Sequence, residues 1–137
     1  MADRTVELTR VYHFSAAHCL SNPRLSPADN AALYGQCARP HGHNYYLEVT
    51  VAGTPDPYTG FAVDLQAVDR AVSASVLEHV DHHQLEHAPL LAGVVTTGEG
   101  LARAFWHALK PALPTGRLRR VVVQETAKNR FEYRGDA

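Results

Sequence analysis

Residues 5–17, TVELTRVYHFSAA, alternate loosely between apolar and polar positions and are rich in β-branched and aromatic side chains, a pattern that predicts a strand. Residues 19–36 carry Ser, Asn, Asp, Gly and two prolines without any period, which predicts a long loop. Structureless segments of that length in compact domains usually carry function. A second strand is expected over about 42–53, centred on NYYLEVTVAG, and the turn-rich TPDPYTG after it leads back toward the first strand or into a wide hairpin ending near FAVD. From Asp64 the period changes: Leu65, Val68, Val72, Val76 and Val80 fall at helical spacing, with Asp64 placed to cap the helix. A second helix is expected over GEGLARAFWHALKPAL, opened by Thr97 and closed before Pro114. RLRRVVVQETA then reads as a strand and FEYRG as a short last one. Strand, strand, helix, helix, strand, strand predicts an α+β fold, a four-stranded antiparallel sheet with two helices on one face. Such a sheet has two open edges and a bare face, so closure with other copies into a ring or barrel is expected.

Composition narrows the function without naming it. A chain of 137 residues fits one domain, 1–137. With 13 Lys and Arg against 14 Asp and Glu and no basic block, a nucleic-acid partner is not expected. No apolar run is long enough for a bilayer and the first residues, MADRTVELTR, have no signal-peptide pattern, so no membrane partner and a cytoplasmic location are expected. The two cysteines, Cys19 and Cys37, do not make a disulfide framework and read as free thiols. Nine histidines in so short a chain change the picture, because imidazole is the commonest metal ligand.

Their placement points to one centre. His41 and His43 are two apart at the start of a strand, so both imidazoles face the same side and can reach one ion. A catalytic zinc site typically holds three protein ligands and keeps one position open. His18, closing the first strand in FSAAH, supplies the third, with small neighbours Ala16 and Ala17 beside it. His13, five residues earlier, falls on the opposite face and is the rival. Cys37 stands four residues before His41, and as a loop thiol close to a cation it reads as a base or nucleophile, while Cys19 reads as packing. In VDHHQLEH, Asp81 beside His82 has the make-up of an orienter and base; the plainer alternative for this cluster, His83 and His87 included, is a solvated helix C-terminus. Glu99 is either a helix-start carboxylate or a pocket residue. Glu125, ending the apolar VVVQE, is harder to explain by packing and suits an amino-heterocycle with adjacent N–H donors.

FSAAH, CARPHGHNY, VDHHQL, VVTTGEGLA and VVVQETAKNRFEYRG together, in order and over nearly the whole chain, resemble the 6-pyruvoyltetrahydropterin synthase and 6-carboxytetrahydropterin synthase family. The resemblance implies the tunnelling fold, with sheets joined into a barrel in a homohexamer of two stacked trimers. It implies Zn2+ on His18, His41 and His43, Cys37 as the proton-abstracting base, and Asp81 with His82 as a relay. It places a pterin ring on Glu125, with Thr97 and Glu99 lining that pocket, and 7,8-dihydroneopterin triphosphate as substrate. The three-residue spacer between Cys37 and His41 resembles the carboxy-forming, queuosine-pathway branch, so 6-carboxytetrahydropterin, with loss of acetaldehyde and triphosphate, is the expected product. LYGQC, HGHNYYLEVTVAG, DPYTG and VVTTGE look more like the pyruvoyl-forming branch, which is the alternative. A non-catalytic pterin, purine or metal binder of the same fold is a further one, and an aldolase acting on dihydroneopterin another. One departure stands out: Gly98-Glu99-Gly100 replaces the family's frequent TEN or SEN.

Overall fold

The computed structural model describes residues 4–114 and 117–136. Four strands, β1 (Val6–His18), β2 (His41–Gly53), β3 (Leu118–Thr126) and β4 (Asn129–Tyr133), form one sheet in sequence order with every neighbour antiparallel. This is the predicted four-stranded antiparallel sheet, its strands in chain order with the helical segment between β2 and β3.

The alternation of the strands settles which face is covered. Phe14 and Ala16 of β1, Tyr45, Leu47, Val49 and Val51 of β2, and Val121 and Val123 of β3 are buried together with Val68, Val72, Val76 and Val80 from the first predicted helix and Leu101, Phe105 and Leu109 from the second. Both helices therefore lie on one face, as expected. Removing so much apolar surface from water is the main stabilising term, about 25 cal/mol per Å². Among the described residues no helix lies on the other face. Its cover is a polar ladder across all four strands: Thr9 and Thr50 share a 2.8 Å hydrogen bond, Arg120 donates to Thr50, Glu48 and Glu132, and Arg130 donates to Glu48.

Three local readings need correction. The expected loop over 19–36 contains a helix, α1 (Pro27–Tyr34), followed by a 3₁₀ turn at Gly35–Ala38. No residue of α1 is buried, so it leaves no apolar period. Its support is local: Ser26 Oγ accepts from the Asp29 amide, Pro27 sits in the first turn, and Asp29 suits the positive end of the dipole. The first predicted helix is not uniform. It runs as α2 (Leu65–Val72), a π-helical stretch at Ser73–Leu77 and α3 (Glu78–Val80). The second, α4 (Gly98–Leu109), stops earlier than 98–113: Lys110 is still helical and bonds to Trp106 O, but Pro111 has no N–H to donate to the carbonyl of His107, which interrupts the ladder.

Segments joining these elements are tied down. After β2 the chain turns through Asp56, whose carboxylate accepts from the Tyr58 and Thr59 amides, and returns so closely that a Cβ on Gly53 would lie 2.1 Å from the Ala62 carbonyl oxygen. Between α3 and α4, 3₁₀ turns at Leu85–His87 and Pro89–Leu91 send Leu85 and Leu91 into the core. Residues 81–84 run along the outer edge of β1: the His82 amide donates to Ser15 O at 2.7 Å, Ala17 N to His83 O at 3.1 Å, and Ala17 bridges Gln84 in parallel. That covers the end of β1 nearest the histidines. Among the described residues no helix is long and apolar enough to cross a membrane.

Candidate metal centre

The register of β1 on β2 sets His18 opposite His41 and Ala16 opposite His43, all on the helix-facing side. The three rings lie with centroids 4.5, 5.1 and 5.0 Å apart, and one nitrogen from each falls within 4.8 Å of the others. Ala16 is the small residue that leaves His43 room across the strand pair. His13, the rival, is exposed on the other face against Tyr46.

Hydrogen bonding decides which nitrogens are available. His18 Nδ1 donates to the Thr96 carbonyl at 3.0 Å, with Thr96 Oγ1 at 3.2 Å, and His41 Nδ1 donates to the Arg39 carbonyl at 2.7 Å. A carbonyl only accepts, so both imidazoles carry their proton on Nδ1 and keep a lone pair on Nε2. His43 Nε2 is buried without a hydrogen-bond partner among the described residues. An orphaned buried nitrogen beside two oriented imidazoles suits a cation with nitrogen preference, and three histidines match an open zinc site.

Electrostatics agree. His18 is 1% exposed, and burial, helped by the imidazoles of His41 and His43, holds it down to about 4. Burial also lowers His43, against the opposing pull of Glu125. Both rings are neutral near pH 7 and able to ligate. Glu125 Oε1 lies 3.9 Å from His43 Nε2, on the inner face of β3 beside the triad.

The remaining candidates fall into separate groups. Asp81 Oδ1 accepts from the Ser15 amide at 3.0 Å and faces His82 Nδ1 at 3.0 Å, so the pairing expected of a turn is present. The Ser15 amide chiefly, then His82 and His13, hold the Asp81 carboxyl below its ordinary value. His82 is 82% exposed and takes φ of 61°, the left-handed region uncommon outside glycine. His83 Nδ1 turns to Asp81 O, a local contact in keeping with the plainer alternative. Cys37 is exposed in the turn before β2, outside the converging ligand atoms; its carbonyl receives the Leu20 amide. A cleft of about 830 Å³ lies beside that turn, lined in part by Cys19, Asn22, Asn30, Gln36 and Arg39. Cys19, half-buried, donates its amide and thiol to Glu86, and burial with that carboxylate pushes the thiol up.

Thr97 caps α4 by accepting from Gly100 N at 3.1 Å, and Glu99 stands exposed in the first turn. The glycines flanking Glu99 have a steric cause. A Cβ on Gly98 would lie 1.9 Å from the Phe131 ring, and one on Gly100 would lie 2.2 Å from Val95 O. The helix start is thus built around the two glycines. Thr96, Glu86 and Tyr45 were not singled out by sequence. The paired threonines were the available sign of the first, one capping and the other holding His18.

A sequence model described as 6-pyruvoyl tetrahydropterin synthase matches residues 7–136. A 6-pyruvoyl tetrahydrobiopterin synthase of Poecilia reticulata is 40% identical over 98% of this chain and 94% of that protein. One of Homo sapiens is 38% identical over 95% of this chain and 92% of its own length. The structure of Caenorhabditis elegans 6-pyruvoyl tetrahydropterin synthase superposes with a TM-score of 0.89 at 36% identity, over 96% of each chain.

Proposed function

Because the chain belongs to the 6-pyruvoyl tetrahydropterin synthase family, we propose that it is a zinc-dependent lyase converting 7,8-dihydroneopterin triphosphate to 6-pyruvoyltetrahydropterin with loss of triphosphate. The observation that carries this is the His18–His41–His43 triad with an unpartnered His43 Nε2 and Glu125 alongside. The choice of product rests on the relatives, which are named for the pyruvoyl compound at 38–40% identity over almost the full chain. That outweighs the three-residue spacer, which had favoured the carboxy product. Cys37 is folded into a 3₁₀ turn rather than an extended arm, so residue count alone does not fix where its thiol reaches.

Zinc in this triad supplies Lewis acidity toward the hydroxyls of the substrate side chain. Glu125, an acceptor when ionised, takes the adjacent N–H donors of the amino-pyrimidine edge and fixes the ring relative to the histidines. Thr97 and Glu99 border that ring at the start of α4. Cys37 removes a proton from the side chain. Asp81 holds His82 through Nδ1, leaving Nε2 outward to pass a proton on. Proton movement alone effects the internal redox change, so no external oxidant is needed, and triphosphate departs with its bonding electrons. A neighbouring subunit completes the pocket, in a homohexamer of two stacked trimers.

The test is to incubate zinc-loaded protein with 7,8-dihydroneopterin triphosphate and identify products by mass. 6-Pyruvoyltetrahydropterin is expected. Acetaldehyde with 6-carboxytetrahydropterin would return the assignment to the carboxy branch, and no turnover by a folded, zinc-loaded protein would sink the synthase reading. In the same assay Cys37→Ala should lose turnover while retaining zinc; loss of the metal would make the thiol a ligand instead.

A further inference from the structure

Tyr45 is fully buried, its ring stacked on Phe14 at 4.7 Å and edge-on to His43 at 5.4 Å. Phenylalanine would serve that packing equally well, so the hydroxyl needs its own explanation. A buried hydroxyl is costly without a partner. The partner it has is His18 Nε2, at a long 3.4 Å. That is the nitrogen left to a cation once Nδ1 is committed to Thr96. An ion in the triad therefore takes the hydroxyl's partner from it.

A phenol can respond in two ways, because it both donates and accepts. It can turn a lone pair to the ion, which adds a fourth protein ligand and closes the site. Or it can donate its proton to an oxygen held at the position three histidines leave open. Of the groups described at the triad, Glu125 is an acceptor when ionised and the Thr96 hydroxyl lies at His18 Nδ1, whereas the Tyr45 hydroxyl lies at the ligating nitrogen, His18 Nε2. We propose that Tyr45 is a positioning residue whose hydroxyl donates a hydrogen bond to the oxygen of a small ligand at the open position of the metal centre. This rests on the metal reading of the triad and is independent of which pterin is formed.

Cobalt(II) in place of zinc gives a visible absorption spectrum, and acetate serves as the oxygen ligand. Wild type and Tyr45→Phe should take up cobalt with affinities within about twofold, since the three histidines remain. Acetate should bind the variant about five- to tenfold more weakly, the effect of one hydrogen bond. The metal-free proteins should melt alike, which checks that the variant folds. Equal acetate affinity would reduce Tyr45 to packing and overturn the proposal. So would a tenfold or greater loss of cobalt affinity with a changed spectrum, which would make the phenol a ligand. Failure of the wild type to bind cobalt would remove the metal reading and this proposal with it.

Discussion

Asp69 accepts from Arg10 Nε and Nη2 at 3.0 and 2.9 Å and from the Tyr12 hydroxyl at 2.6 Å, fastening α2 to β1 beyond the edge of the apolar core. The Arg10 hydrogen bonds, then that of Tyr12, hold its carboxyl below the ordinary value. A carboxyl that binds its proton less readily when folded gives a contribution that is complete above its unfolded pKa, about 3.9. That contribution drains away as pH falls through the lower folded value. Asp69→Asn should thus melt a few degrees below wild type at pH 7, a small loss because the pair is exposed. The difference should shrink toward nothing as both proteins are melted in progressively more acid buffer. A gap that stays constant to pH 2 would show that the carboxylate's charge has no part in it.

At the scale of elements, the four valines of the first helical segment pose a geometric problem. At about 100° per residue, a four-residue spacing overshoots one turn by about 40°, so three such steps would carry Val80 about 120° round from Val68. Yet Val68, Val72, Val76 and Val80 all lie in one core. The π-helical stretch at Ser73–Leu77 resolves this, since its wider turn advances less per residue and returns the later valines to the sheet. Deleting Ala74 should convert the stretch to ordinary α-helix and leave the valines at spacings of four, three and four, still a single face. The deletion should lower the melting temperature far less than deletion of Ala104, which would rotate Phe105, Trp106 and Leu109 of α4 away from the core. Equal losses for the two deletions would refute this account. Sequence gave no sign of the wide turn, because valines at four-residue spacing satisfy a helical template loosely enough to pass for α. It also hid α1, whose stability comes from Ser26, Pro27 and Asp29 rather than from an apolar stripe. Strands β1, β2 and β3 were legible because burial on one face imposes a period of two.

For the whole molecule, the histidine triad is the end of the core rather than an addition to its surface. His18 continues the row of Phe14 and Ala16, and His41 and His43 continue that of Tyr45 and Leu47. This is why strand alternation located the triad. Thr96, Glu86 and Tyr45's hydroxyl were not legible, because their roles arise where the start of α4 and the 81–87 segment close over the strand ends, a juxtaposition no local pattern records. An ion bound only by the folded chain stabilises it by mass action, about 2.7 kcal/mol at a hundredfold excess over Kd. Zinc added to metal-free protein should therefore raise the melting temperature, and His41→Ala should erase that rise. Persistence of the full rise in the variant would move the ion elsewhere. The same geometry links the ligands to the hydrogen-bond register. A slip of one residue between β1 and β2 would turn Phe14 and Ala16 outward and send His18 to the opposite face from His41 and His43. A misregistered chain thus loses its ligand set together with its core. An ion that needs all three imidazoles would therefore bind only chains whose two longest strands are in their correct alignment.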